Sequence, residues 1–151
     1  MGSSQGDEIK MHIESVVAKQ LQRSPIYALT LSDVRIVSAT KGRIQARTVL
    51  SRNHMNSSGG LHGSVSATIV DWAGGMAIAT WDLRDKTGVS VDIHVRYLSS
   101  AKEGDEIEIE ATADKVGGSV GFTSVTISKL VDGKAGPVVA SGTHTKYVKV
   151  R

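Results

Sequence analysis

The sequence predicts an α+β fold in which a long antiparallel sheet wraps around one central helix. Two observations carry this prediction. Residues 65–81 are apolar or small on nearly all sides, which is typical of a buried helix. Six other segments alternate apolar and polar residues, as strands with one buried face do. Because little else in the chain can cover the central helix, we expect the sheet to curl around it.

The N-terminal part predicts a second helix over residues 7–23, ending before Pro25. Its apolar residues recur at steps of three and four, at Ile9, Ile13, Val16, Val17 and Leu21. We expect this amphipathic helix to act as a lid. Residues 1–6 are expected to be disordered or a remnant of recombinant expression, which leaves residues 7–151 as one domain.

The predicted strands fall on both sides of the central helix. Residues 33–40 and 43–50 form a hairpin through Lys41-Gly42. Residues 89–97 alternate most clearly, and three more strands are predicted over residues 106–116, 120–130 and 137–150. In the strand 89–97, strict alternation places the valines, Ile93 and Tyr97 on one face, and Ser90, Asp92, His94 and Arg96 on the other.

Composition narrows the possible functions. The chain has 151 residues and no cysteine, so thiol catalysis and disulfides are excluded. Its net charge of +3 comes from dispersed lysines and arginines, which argues against nucleic-acid binding. No apolar run reaches the length of a membrane span, and no histidine has metal-ligand spacing. We therefore expect a soluble, cytoplasmic protein without metal or cofactor, and a mitochondrial or peroxisomal location stays open as the alternative.

The candidate catalytic groups lie mainly in residues 56–71. Asp71 is a carboxylate inside the buried helix, where an ionised group is costly unless it is paired, hydrated or used. Gly63 begins that helix, where free amides and the helix dipole suit an oxyanion hole. The alternative is an ordinary helix N-terminus capped by Ser64 or Asn56.

Helix geometry separates these two groups. Asp71 follows Gly63 by eight residues, so at 1.5 Å per residue the two lie roughly 12 Å apart. A water activated by Asp71 cannot reach a carbonyl held by Gly63 of the same chain. If both groups serve one reaction, the second must come from another subunit related by a two-fold axis, which predicts an obligate dimer.

Several blocks of the sequence together resemble the hotdog-fold acyl-CoA thioesterases. The likeness is strongest to the thioesterase superfamily member 2 group and the related bacterial phenylacetate-pathway thioesterases. The blocks include the runs Gly-Gly-Leu-His-Gly at 59–63, Ala-Thr-Ile-Val-Asp at 67–71, Tyr-Leu-Ser-Ser-Ala-Lys at 97–102 and His-Thr-Lys at 144–146. The resemblance implies hydrolysis of an acyl-CoA to free coenzyme A and a carboxylic acid, as in fatty acid metabolism. It also implies a homodimer that pairs into a homotetramer, and coenzyme A only as part of substrate and product.

The resemblance also implies roles for single residues. Gly63 and Asn56 would hold and polarise the thioester carbonyl, and Asp71 of the facing subunit would activate water with help from Ser90. His62 would order the turn or contact the substrate. Lys102 and Lys146 would meet the phosphates or pantetheine of coenzyme A. Ser64, where the family often has glycine, would narrow the acyl entrance or cap the helix, and Ser100 stands where a proline is common.

Two other functions stay open at this point. The same fold supports hydration or dehydration of acyl thioesters, which usually requires an Asp–His pair, and no histidine has a convincing spacing to Asp71 in the sequence. A non-catalytic acyl-CoA binding module would leave Asp71 merely hydrated. Release of free thiol from an acyl-CoA separates hydrolysis from both alternatives.

Overall fold

A single antiparallel sheet surrounds the central helix, as predicted. The computed structural model describes residues 4–149. Helices α1 (Gln5–Arg23) and α2 (Pro25–Thr30) precede strands β1 (Arg35–Thr40) and β2 (Arg43–Val49). A 3₁₀ turn (Arg52–His54) leads into the central helix α3 (Gly63–Asp82), which is followed by β3 (Val89–Tyr97), β4 (Glu106–Val116), β5 (Val120–Val131) and β6 (Lys134–Tyr147). The strand order is β1-β2-β4-β5-β6-β3.

Helix α1 begins two residues earlier than predicted. Ser4 and Asp7 form a capping box, in which each side chain accepts a hydrogen bond from the other residue's amide at 3.2–3.3 Å. Of the segment expected to be disordered, residues 4–6 therefore belong to this helix and its cap, and residues 1–3 lie outside the described residues. The predicted apolar face is buried at Ile9, Ile13 and two valines.

Helix α2 was not predicted from the sequence. Ser24 caps it by accepting a hydrogen bond from the Tyr27 amide at 3.3 Å, and Pro25 occupies its first turn, where the missing N–H is no loss. Six residues are too few to show a helical period, so Pro25 indicated only the end of α1. The short helix matters because it places Tyr27 beside α3.

The glycines of α3 let the sheet approach closely. A Cβ added at Gly74 would lie 2.6 Å from Thr123 Oγ1 and 2.9 Å from His144 Nδ1. At Gly75 the nearest atom would be Thr87 Oγ1 at 3.1 Å. The remainder of the helix is filled by large buried side chains such as Trp72 and Met76. The predicted tight packing of sheet on helix is confirmed at these positions.

Strand β6 begins at Lys134, three residues before its predicted start. Asp132 and Gly133 have φ angles of 52° and 76°, and Val131 pairs with Lys134 across them. Positive φ at both central residues is the geometry of a tight hairpin turn that matches strand twist. The predicted six-residue connection is therefore a two-residue turn.

Strand β3 lies at the edge of the sheet and pairs only with β6 among the described strands. Its position brings residues near 90 next to residues near 146, although more than fifty residues separate them in sequence. Among residues 4–149 no helix is both long and apolar enough to cross a bilayer.

We predict that Gly74→Ala destabilises the protein by roughly 1–3 kcal/mol, because the new methyl group overpacks a site that Thr123 and His144 already fill. Gly75→Ala is the matched control in the same helix. The Gly75→Ala variant gains the same helix propensity, about 1 kcal/mol. Its new methyl group meets its nearest neighbour at 3.1 Å, a looser contact than at Gly74. Urea unfolding of both variants measures the difference, and equal stabilities would contradict the packing account.

Candidate active site

His62, and not Ser64 or Asn56, caps the N-terminus of α3. His62 Nδ1 accepts a hydrogen bond from the Ser64 amide at 3.0 Å and lies 2.7 Å from Ser64 Oγ. The alternative in which Ser64 or Asn56 caps this helix was wrong, because His62 occupies the cap position and accepts from the second amide. No hydrogen bond within residues 4–149 uses the Gly63 N–H, as expected for a first-turn amide.

Tyr97 explains why position 63 is a glycine. The Tyr97 hydroxyl donates to the Gly63 carbonyl at 2.9 Å. A Cβ at Gly63 would lie 3.3 Å from three atoms of the Tyr97 side chain. The Tyr97 side chain therefore lies close to the Gly63 backbone, a role that the sequence, which indicated Tyr97 as part of a strand and of a family block, did not show.

Asn56 organises the loop that precedes α3. Its Oδ1 accepts hydrogen bonds from the amides of Ser58 and Gly60, at 2.9 and 3.1 Å. Its side-chain amide nitrogen Nδ2 has no partner within the described chain and stays a free donor on an exposed residue. Asn56 and Gly63 thus each offer an unused N–H on adjoining segments.

The Asp71 carboxylate lies in the middle of α3 and is held from two sides. The Tyr27 hydroxyl of α2 donates to Oδ2, and the Ser90 hydroxyl of β3 donates to Oδ1 at 3.2 Å. The side chain is 29% exposed, so room is left for a further donor such as water. Tyr27 was missed in the sequence because α2 was missed.

His144 stands behind Ser90. Its Nε2 lies 2.7 Å from Ser90 Oγ and 3.6 Å from Asp71 Oδ1, and the residue is fully buried. With the proton on Nε2, His144 donates to Ser90 and Ser90 donates to Asp71, while the buried Nδ1 of His144 has no hydrogen-bond partner among the described residues. The absence of an Asp–His pair inferred from the sequence was therefore wrong: β6 brings His144 next to Asp71, which spacing in the sequence does not reveal.

A β-bulge turns Ser90 toward this group. Ser90 pairs with Lys146 and Asp92 pairs with Thr145, so Val91 is the extra residue. Strict alternation would put Ser90 on the face opposite Ile93, and that prediction was wrong. The bulge moves Ser90 to the helix side, where it meets Asp71 and His144.

Burial controls the charges behind the carboxylate. Desolvation, followed by the nearby Lys146 charge, lowers the pKa of His144, so the ring favours its neutral form. Desolvation also lowers the pKa of Lys146, whose ammonium donates to Thr87 Oγ1 at 3.2 Å. Burial and the bond to Asp71 raise the pKa of Tyr27, which keeps its hydroxyl proton.

The other residues predicted for substrate binding divide into two places. Lys102 lies with Asn56 around an open cleft of about 530 Å³, to which Gly60, Asp105 and Lys129 also contribute. Lys146 is only 7% exposed and faces α3. The structure thus forms two clusters along α3, one at Gly63 with Asn56, His62, Ser64 and Lys102, and one at Asp71 with Ser90, His144, Lys146 and Tyr27.

Comparisons with known proteins agree on one family. The model of the thioesterase superfamily matches residues 58–136. Human acyl-coenzyme A thioesterase 13 is 35% identical over 132 residues, which cover 87% of this chain and 91% of the human protein. The crystal structure of zebrafish thioesterase superfamily member 2 aligns with a TM-score of 0.78 and 32% identity, covering 97% of this chain and 99% of that one.

A third relative was solved with a ligand. A Streptococcus mutans protein bound to acetyl-CoA aligns with a TM-score of 0.66 and 25% identity, covering 77% of this chain and 88% of that chain.

We predict that the free energy of unfolding falls as the pH is lowered through the range just below about 6.5, the ordinary pKa of histidine. The pKa of His144 is depressed in the folded state, so the unfolded state binds more protons there and stability is lost toward acid pH. His144→Gln should flatten this slope, measured by thermal unfolding at fixed protein concentration. His94→Gln, at an exposed histidine of β3, is the control and should leave the slope intact; the same flattening in both would refute the assignment.

Proposed function

This chain belongs to the thioesterase superfamily, and we propose that it is an acyl-CoA thioesterase whose water is activated by Asp71 and whose thioester is held by the neighbouring subunit. The resemblance seen in the sequence is confirmed at the level of family and hotdog fold. The activity follows the names of the relatives, one an acyl-CoA thioesterase and one solved with acetyl-CoA. The geometry of Asp71 carries the mechanism.

Asp71 has the surroundings that a general base needs. Tyr27 and Ser90 fix both carboxylate oxygens, while the exposed part of the side chain leaves a place for water. In the proposed step Asp71 takes a proton from that water, and the resulting hydroxide attacks the thioester carbonyl. The tetrahedral intermediate then expels the thiolate of coenzyme A, which takes up the proton, and the acyl group leaves as a carboxylic acid.

His144 is a positioning residue in this mechanism. It is buried behind Ser90, and its Nε2 is within hydrogen-bond distance of the Ser90 hydroxyl. A neutral ring that donates to Ser90 fixes the direction in which Ser90 donates to Asp71. The carboxylate is thereby held with one orientation toward the water.

The thioester carbonyl needs hydrogen-bond donors that the Asp71 cluster does not offer. The Gly63 N–H and the Asn56 side-chain amide Nδ2 are two donors without a partner among the described residues, and two such donors aimed at a developing oxyanion are typical of acyl transfer. Gly63 lies roughly 12 Å along α3 from Asp71, since the rise is 1.5 Å per residue, and Asn56 is in the loop before the helix. We therefore assign them to the substrate whose water is activated by Asp71 of the partner subunit.

Strand β3 is the surface that we propose for the dimer. Its side chains include Val89 and Val91, both 61% exposed, and Tyr97, 59% exposed. Its outer backbone groups have no partner strand among the described residues. An apolar, open edge strand is a template for pairing with a second copy, and Tyr97 and Ser90 on this strand tie it to both clusters. A further pairing of dimers into a homotetramer follows the family resemblance.

Lys102 fits a role in binding coenzyme A. It shares the open cleft with Asn56, the residue proposed to hold the carbonyl, and Lys129 lies in the same cleft. Lys146 is placed differently, because its ammonium is buried near Asp71. We propose that it acts on the charge of the Asp71 cluster and does not meet the phosphates of coenzyme A.

The hydratase alternative requires an Asp–His pair, which the structure contains in Asp71 and His144, but a substrate cannot reach the histidine. His144 is fully buried behind Ser90, so its ring has no open path to a substrate carbon. A non-catalytic binding module would have no use for a carboxylate held by two hydroxyl groups, one of them backed by a histidine. Hydrolysis therefore fits the arrangement best.

We predict that Asp71→Asn lowers kcat by about 10²–10⁴-fold, because the general base is lost while the size of the side chain is kept. Release of free thiol from an acyl-CoA measures turnover, and calorimetric binding of coenzyme A checks that the site is intact. The exposed Asp132→Asn, in the β5–β6 turn, is the matched control and should keep normal turnover. Undiminished hydrolysis by Asp71→Asn would contradict the proposed role of Asp71 as general base.

We also predict that activity returns when two inactive variants are mixed. Asp71→Ala removes the base and Asn56→Ala removes a carbonyl donor, so a mixed dimer contains one site with both groups intact. After unfolding and refolding together, about a quarter of the wild-type activity is expected if subunits pair at random. Mixing without subunit exchange is the control, and no recovery after refolding would exclude a shared site.

A further inference from the structure

A second cleft lies on the lid side of the Asp71 cluster. It measures about 400 Å³ and is enclosed by α1, Tyr27 of α2 and the segment that follows α3. Val16, Lys19, Gln20 and Arg23 line it from α1, at the three- and four-residue steps of a single helix face. This cleft is separate from the one beside Asn56 and has no role in the mechanism above.

Tyr27 connects this cleft to the reaction centre. Its side chain lines the cleft, and its hydroxyl donates to Asp71 Oδ2. One side chain therefore separates the cleft from the proposed base. A group bound at Asp71 that extends toward the lid would pass the Tyr27 ring and meet Val16, both of which suit methylene groups.

The charges around the cleft are mainly positive. Lys19, Arg23 and Lys86 line it, and none of the three forms an ion pair within residues 4–149. Asp85 is the one carboxylate in the lining, and the His12 ring nitrogen Nε2 lies 3.8 Å from it. The net balance favours an anion over a neutral or cationic group.

The inner wall also holds a polar atom without a partner. Gln20 Oε1 is buried and makes no hydrogen bond within the described residues. Buried polar atoms are rarely left unpaired, and such an atom calls for an explanation. This oxygen only accepts hydrogen bonds, so a water molecule that enters with the ligand, and not the ligand's carboxylate, would supply the missing partner.

We propose that this cleft receives the far end of the acyl group and selects acyl chains that end in a carboxylate, as in thioesters of dicarboxylic acids. The inference rests on the proposed function, because it takes the thioester to lie at Asp71. Apolar walls nearest Tyr27 accept the methylenes, and the cations pair with the terminal carboxylate. The phosphates of coenzyme A are a second source of anionic oxygen, which the experiment below separates.

The test compares two acyl-CoAs of equal chain length, one ending in a methyl group and one in a carboxylate. The ratio of their kcat/KM values reports recognition of the far end alone, because coenzyme A is common to both. In the unaltered chain we expect the carboxylate-ended substrate to be hydrolysed at least as efficiently as the methyl-ended one. Discrimination against the carboxylate by tenfold or more would overturn the proposal.

Charge removal sharpens the test. In Lys19→Gln/Arg23→Gln the ratio should fall roughly tenfold, as expected for two partly exposed charged partners. Lys10→Gln/Lys115→Gln removes the same charge from positions outside the cleft, Lys10 being partly exposed and Lys115 exposed, and should leave the ratio unchanged. If the cleft variant weakens both substrates equally, the cations meet the phosphates of coenzyme A and the proposal fails.

A binding measurement keeps the two proposals apart. Non-hydrolysable thioether analogues of the same pair are titrated by calorimetry, and the ratio of their Kd values should change in the cleft variant as the kcat/KM ratio does. If the Kd ratio changes as expected but no thiol is released, the proposed hydrolysis is wrong and the assignment of the cleft is supported. If hydrolysis is normal and neither ratio responds, the cleft assignment alone is wrong.

Discussion

The Asp71 carboxylate, in the middle of the mostly apolar helix α3, determines which elements must pack around that helix. A buried charge is costly unless it receives hydrogen bonds, and a carboxylate accepts them only from donors. In this chain the donors come from α2 through Tyr27 and from β3 through Ser90. The lid, the edge strand and, through His144, the last strand therefore all converge on a single turn of α3.

The small residues of α3 make that convergence possible. His144 lies against Gly74, and Lys146 Nζ lies 3.5 Å from where a Cβ at Gly75 would be. Side chains at these two positions would push β6 away from the helix and break the contact between His144 and Ser90. The glycine pair costs helix propensity, about 1 kcal/mol per residue. What it provides is room for a buried imidazole and a buried ammonium behind the carboxylate.

Local patterns predicted most of the fold, but of the Asp71 cluster they indicated only Asp71, while Ser90 and Lys146 were named through the family resemblance. Alternation and the apolar run at 65–81 were sufficient for α3 and all six strands, because those signals lie within single elements. The strand order is a long-range property, so nothing in the sequence placed His144 next to Ser90. The bulge at Val91 breaks the period of two on which the assignment of faces depended. Tyr27 stayed hidden because a six-residue helix has no measurable period.

The division of the site along α3 separates binding of the thioester carbonyl from activation of water. In the proposed dimer, one subunit supplies the carbonyl donors at Gly63 and Asn56, while the other supplies the base and, through Tyr27, the wall of the acyl cleft. Changes in the lid then alter which acyl group is accepted without touching the oxyanion donors. Tyr27 is the exception, because it lines the acyl cleft and also fixes Asp71. A change in how the lid holds the acyl chain must therefore reach the base through this one hydroxyl, which couples substrate fit to the chemical step.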